Sequence, residues 1–146
     1  MGILAKNVGP EQGFNEFGRW RVVNNSGATI NKGDIVYISG ASYISENALP
    51  EITPAAATGL DGVDGAARRL KIASHRIEDG AVGEVVDWMW FAPESSAGSA
   101  GDPLYLSDTA GEYAASPGTN PRKVGEVVST GAPGELVFLC VTGFIE

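Results

Sequence analysis

The chain has 146 residues; a chain of that size buries about 68–70% of its unfolded surface, enough for an unassisted core. Apolar residues at 43% and charged residues at 19% argue against disorder, and no apolar run approaches the ~18 residues of a membrane span. The net charge of −8 argues against generic nucleic-acid binding, which needs a basic patch.

Residues 1–18 are interrupted by Gly2, Gly9, Pro10, Gly13 and Gly18 and predict an irregular N-terminal arm. Its apolar anchors, Ile3, Leu4, Phe14 and Phe17, either reach a partner surface or fold back on their own domain. No basic-then-apolar leader pattern occurs there, so synthesis in the cytoplasm is expected. One compact domain over 19–146 follows. β-Branched and aromatic runs between turn signals predict strands at 19–24, 34–39, 69–74, 82–91, 103–107, 123–129 and 135–142. The turns fall at Asn25-Ser26-Gly27, Lys32-Gly33-Asp34, Asp79-Gly80, Thr109-Ala110-Gly111 and Gly131-Ala132-Pro133-Gly134. A short helical turn near 54–57 fits the run Pro-Ala-Ala-Ala. With 20 Gly and 8 Pro serving as turn-formers, the pattern is that of an all-β protein, a small barrel or sandwich.

Two strands are apolar on both faces. In 85–91, Val86, Trp88 and Trp90 oppose Val85, Asp87, Met89 and Phe91. A strand of that kind is covered on both sides, and the two tryptophans favour an intersubunit or partner contact, since aromatics are enriched in interface cores. Trp20 joins them as an interface candidate. The strand 136–141 reads instead as a central sandwich strand. An internal echo is also present: Gly33-Asp34-Ile35-Val36-Tyr37-Ile38-Ser39 returns as Gly101-Asp102-Pro103-Leu104-Tyr105-Leu106-Ser107. It reads as a recurring strand-entry device, a Gly-Asp turn followed by a strand with a central Tyr.

Charge is unevenly spread. Between Ile77 and Pro121 there are eight acids and no Lys or Arg. Just before them stand Arg68, Arg69, Lys71, His75 and Arg76, a cluster that is either a solvated edge or a docking patch for an acidic surface. Catalytic constellations are missing. His75 is the one histidine and Cys140 the one cysteine, so no multi-His metal site, Cys-x-x-Cys or intrachain disulfide is available. Gly59-Leu60-Asp61-Gly62-Val63-Asp64-Gly65 fits neither a dinucleotide loop nor an EF-hand. The chain is therefore expected to be no enzyme and to carry no metal or cofactor.

The run Val22-Val23-Asn24-Asn25-Ser26-Gly27-Ala28-Thr29-Ile30-Asn31-Lys32-Gly33-Asp34-Ile35-Val36-Tyr37-Ile38-Ser39-Gly40-Ala41 resembles the opening of a family of tailed-bacteriophage virion structural proteins. Later landmarks keep the family order: Ile77-Glu78-Asp79-Gly80-Ala81-Val82-Gly83, Gly101-Asp102-Pro103-Leu104-Tyr105-Leu106-Ser107, Thr109-Ala110-Gly111, Val124-Gly125-Glu126-Val127-Val128 and Gly143-Phe144-Ile145-Glu146. The likeness covers about 20–146. It departs at Trp88-Met89-Trp90-Phe91, where the family more often has a Val-x-Gly pattern, and at the variable stretch Ser42–Glu51. The resemblance implies a tulip-like β-barrel and a capsid decoration, or cement, protein on the virion surface. Such a protein sits as a homotrimer at local threefold positions on the expanded head and bridges subunits of the major capsid protein, without nucleic-acid or membrane partners. The alternative it leaves open is a head-fibre or tail-fibre component that binds the host surface. The interface candidates are Phe14, Phe17, Trp20, Arg68, Arg69, Trp88 and Trp90.

Overall fold

The computed structural model describes residues 18–44, 46–58, 69–131 and 134–142. The predicted arm with Phe14 and Phe17, the Gly59–Gly65 loop and Arg68 lie outside the described residues. Among the described residues there is no helix, and the all-β expectation holds. The described residues form ten strands: β1 (Trp20–Asn24), β2 (Ile35–Ile44), β3 (Asn47–Pro54), β4 (Leu70–Ala73), β5 (Val82–Val86), β6 (Trp88–Phe91), β7 (Pro103–Leu106), β8 (Tyr113–Ala114), β9 (Lys123–Ser129) and β10 (Leu136–Cys140). The first five close a barrel in the order β1-β3-β2-β4-β5, and the second five form an open sheet in the order β6-β10-β9-β7-β8.

Several elements depart from expectation. The run 82–91 is two strands in two sheets, broken at Asp87. The segment 54–57 makes no helical turn. Pro54 ends β3, and the buried Ala55 and Ala57 donate their N–H groups to the carbonyls of Ile35 and Ser107. β3 and β8 arise where no strand was predicted. β2 runs five residues beyond the predicted 39 and pairs with β3 from Val36↔Pro54 out to Ile44↔Asn47, with a bulge between Ile38 and Gly40.

Strand alternation sorts the core into two layers. Inside the barrel lie Val22, Ile30, Val36, Ile52, Ala73, Ile77 and Val85. The alternate residues Ile35, Tyr37, Leu70, Ile72 and Val86 leave the barrel wall and pack against Leu104, Leu106, Val124, Val127, Val137 and Leu139 of the open sheet. The barrel's outside is thus the sheet's floor.

The two halves repeat one plan. β1–β5 and β6–β10 follow the same strand order, with β4–β5 and β9–β10 as hairpins and β1 and β6 each antiparallel to the last strand of their unit. The echo marks the match. In each turn the Asp carboxylate accepts an N–H three residues back, Asn31 to Asp34 Oδ2 at 2.9 Å and Ser99 to Asp102 Oδ2 at 2.9 Å. The flanking backbone bonds also agree: Gly33 N–H to Ala73 O and Ala73 N–H to Asp34 O in one unit, Gly101 N–H to Val127 O and Val127 N–H to Asp102 O in the other. Gly33 and Gly101 both hold positive φ, 90° and 93°, a region that L side chains resist.

The units differ in closure. In the first, Val23 and Asn24 pair in parallel with Glu51 and Ile52 and complete the ring. Ala73 matches Val127 by the turn bonds, so Val85 matches Val137 across each hairpin, and their partners Trp20 and Phe91 fall in corresponding places. β1 continues past Trp20, whereas the second unit leaves its sheet after Phe91 at Ala92-Pro93. Proline has no N–H to give a ladder, and β8 is two residues long.

Candidate functional site: the outer face of the open sheet

β10 has Val137 and Leu139 buried on the barrel side, with Leu136, Phe138 and Cys140 half-buried on the other. β6 pairs Trp90 with Phe138 and Trp88 with Cys140, so both indoles stand on that outer face. The Phe138 ring lies 4.9 Å from the Trp90 ring and 5.9 Å from the Trp88 ring, both tilted. These are the separations at which aromatic pairs attract beyond their area. Trp90 is nevertheless 54% exposed, and Val128, in the bulge of β9, is 40% exposed. The face is an aromatic ladder that the described residues cover only in part. Met89 and Phe91, the alternate residues of β6, pack against the core, so the outward placement of the two tryptophans, Trp88 half-buried and Trp90 exposed, follows from register. The predicted central strand 136–141 is interior to its sheet, but only one of its faces is fully covered.

Trp20 is held differently. It packs against the barrel interior and takes two cations on its ring, Lys71 Nζ at 4.0 Å and Arg69 at 5.0 Å from the centroid. The Lys71 side chain is fully buried; it donates to the Gly18 carbonyl at 2.9 Å and to Asp87 Oδ1 at 2.8 Å. Burial pushes the Lys71 ammonium below the ordinary lysine range, and the Asp87 bond opposes that shift. The predicted basic cluster is therefore divided: Lys71 inside, Arg76 outside and paired with Glu78 at 2.8 Å. His75 lies in the turn after β4, where its Nε2 accepts the Glu84 N–H at 3.0 Å and its Nδ1 lies 2.9 Å from the Arg76 carbonyl. Both ring nitrogens are occupied in turn geometry.

A second protruding element was missed by the sequence reading. Beyond its bulge, the described side chains of the β2–β3 hairpin, Gly40–Tyr43 on one strand and Asn47–Glu51 on the other, include no buried residue, and Tyr43 near its tip is 79% exposed. Two Pro residues and a Glu in β3 hide this strand from propensity; the register with β2 creates it. Among the described residues no group of three or more His, Cys, Asp or Glu is placed to hold a metal ion. Comparison with protein-family models, with curated proteins and with solved structures finds no match.

Proposed function

We propose that this chain is a virion surface protein of a tailed phage, a decoration protein that joins subunits of the major capsid protein on the outside of the expanded head, as a homotrimer at local threefold positions. One observation carries the reading: the Trp88/Trp90/Phe138 ladder, an aromatic face on the open sheet that the described residues leave partly uncovered, with Trp90 54% exposed. Large aromatics at the centre of a contact supply most of its energy, and a patch of roughly 800 Å² per partner is enough for a specific interface. The ordered sequence landmarks support the same reading, and the all-β fold is compatible with it. No catalytic role enters.

The test is a binding assay on expanded heads that lack the protein. Purified protein is mixed with them, the particles are sedimented, and bound copies are counted. Saturation near the number of threefold positions is expected, and Trp90→Ala lowers occupancy strongly while the melting temperature falls only by the small amount that losing the Phe138 ring contact costs. Deleting residues 2–17 is expected to weaken attachment while the domain stays folded. Binding at only a few sites per particle would favour the fibre reading. The exposed Trp90, a side chain suited to stacking on sugar rings, would then be assayed against host glycans.

A further inference from the structure

The second unit's failure to close leaves a cleft of about 860 Å³. Phe91 and the segment after it line the cleft together with Gly111 to Tyr113, entering β8. The Asn31–Asp34 turn of the barrel also lines it. The size lies within the roughly 300–1,000 Å³ usual for ligand clefts. β6 and β8 are the two end strands of the open sheet, so among the described residues each has a ladder edge with no strand beside it. In the first unit the corresponding gap is filled by the continuation of β1, which pairs with β3.

The floor and the rim differ in chemistry. Phe91 and Tyr113 are half-buried and pack against the core. The carboxylates of Asp34, Glu94 and Glu112 line the cleft. Glu135, which accepts the Ala97 N–H at 2.9 Å, lies near enough to Tyr113 to raise its phenol further. The cations present are Lys32 and Arg76, and Arg76 is already joined to Glu78. Burial holds the Asp34 carboxyl above its ordinary range, the Asn31 N–H opposes this, and the Glu112 charge adds to the rise. A positive group entering the cleft relieves that crowding. Glu94 and Glu112 belong to the acid-only stretch of the sequence, whose charge the aromatic face does not use.

We propose that the open seam between β6 and β8 receives an extended, Lys- or Arg-bearing segment of a partner protein, which takes the place that Arg21–Asn24 hold in the first unit. Main-chain bonds to a strand edge supply affinity, and alternate side chains supply specificity. Here the inward side chains of the guest meet Phe91 and Tyr113, and its outward ones meet Glu94, Glu112 and Asp34. The proposal does not depend on the virion reading, since the seam and the aromatic ladder are separate surfaces.

The probe is a short fluorescein-labelled peptide of alternating Val and Lys, titrated into the full chain and followed by anisotropy. Two controls accompany it, the Val-Glu peptide and a Val-Lys peptide N-methylated at alternate residues. Saturable binding of the Val-Lys peptide alone is expected. Glu94 and Glu112 are exposed, so the double variant Glu94→Lys/Glu112→Lys keeps its melting temperature and binds roughly tenfold more weakly, the size of two inverted, partly exposed ion pairs. Glu94→Gln/Glu112→Gln gives a smaller loss in the same direction. No saturable binding, equal binding of the Val-Glu or N-methylated peptide, or indifference to both double variants would overturn the proposal. So would self-association of the protein that the same substitutions abolish in sedimentation, since a second copy would then hold the seam.

Discussion

At the residue scale the Lys71 knot shows how burial and charge set a local hierarchy. The ammonium is fully buried while the Asp87 carboxylate keeps a side-chain exposure of 18%. Removing the carboxylate therefore strands a charge away from water. Asp87→Ala is expected to lose about 3 kcal/mol in urea unfolding, and adding Lys71→Met to it to restore most of that, because the loss is a buried unpaired cation rather than a missing contact. A double variant as unstable as Asp87→Ala would assign the loss to packing. Tyr113 gives a pH signature. Burial, with Glu135 and Asp34 adding to it, pushes its phenol up to about 12 from an ordinary 10. The unfolded chain releases this proton first, so the contribution is complete below pH 10 and drains as pH rises from 10 to 12. Tyr113→Phe is expected to remove a loss on the order of 2 kcal/mol across that window. Unchanged alkaline slopes in the two proteins would place the phenol in water.

At the element scale the Gly-Asp turns carry the plan of both units, and they separate backbone strain from crowding. A Cβ on Gly101 meets nothing within 4 Å, whereas one on Gly33 comes within 2.7 Å of the Phe91 ring. Both φ values are positive, so Gly101→Ala is expected to cost about 1–2 kcal/mol from the backbone alone. Gly33→Ala is expected to cost more and to disturb Phe91 at the seam. Equal losses in thermal unfolding would show that the ring moves aside freely. These turns were legible because Gly-Asp before a β-branched or aromatic run is a local signal. β3 was not, because Pro50, Glu51 and Pro54 suppress strand propensity while pairing with β2 and closure against β1 impose it. The break at Asp87 was also hidden. Apolar alternation runs unbroken through 82–91, but Asp87 turns to Lys71, and its carbonyl takes the Val141 N–H at 3.0 Å. The aromatic face could be named from Trp88 and Trp90, whereas the seam depends on which strands fail to meet.

At the scale of the molecule, two copies of one strand plan have become interdependent. Among the described residues the barrel interior rests on seven buried apolar ones, few for an independent fold. The barrel's outer layer, Ile35, Tyr37, Leu70, Ile72 and Val86, is dry only because the open sheet lies on it. Burial of side chains of this size is worth about 1.5–3 kcal/mol each, so five of them together rival the 5–15 kcal/mol by which whole domains are stable. Neither unit should therefore fold alone. Fragments 18–87 and 88–146, made separately, are expected to show no cooperative melt by circular dichroism, and mixing them is expected to recover the β-sheet signal and a single transition. A cooperative melt for 18–87 alone would mean that ring closure, rather than the shared layer, stabilises the first unit. The open sheet would then be an appended platform whose outer face and seam are free to vary without cost to the barrel.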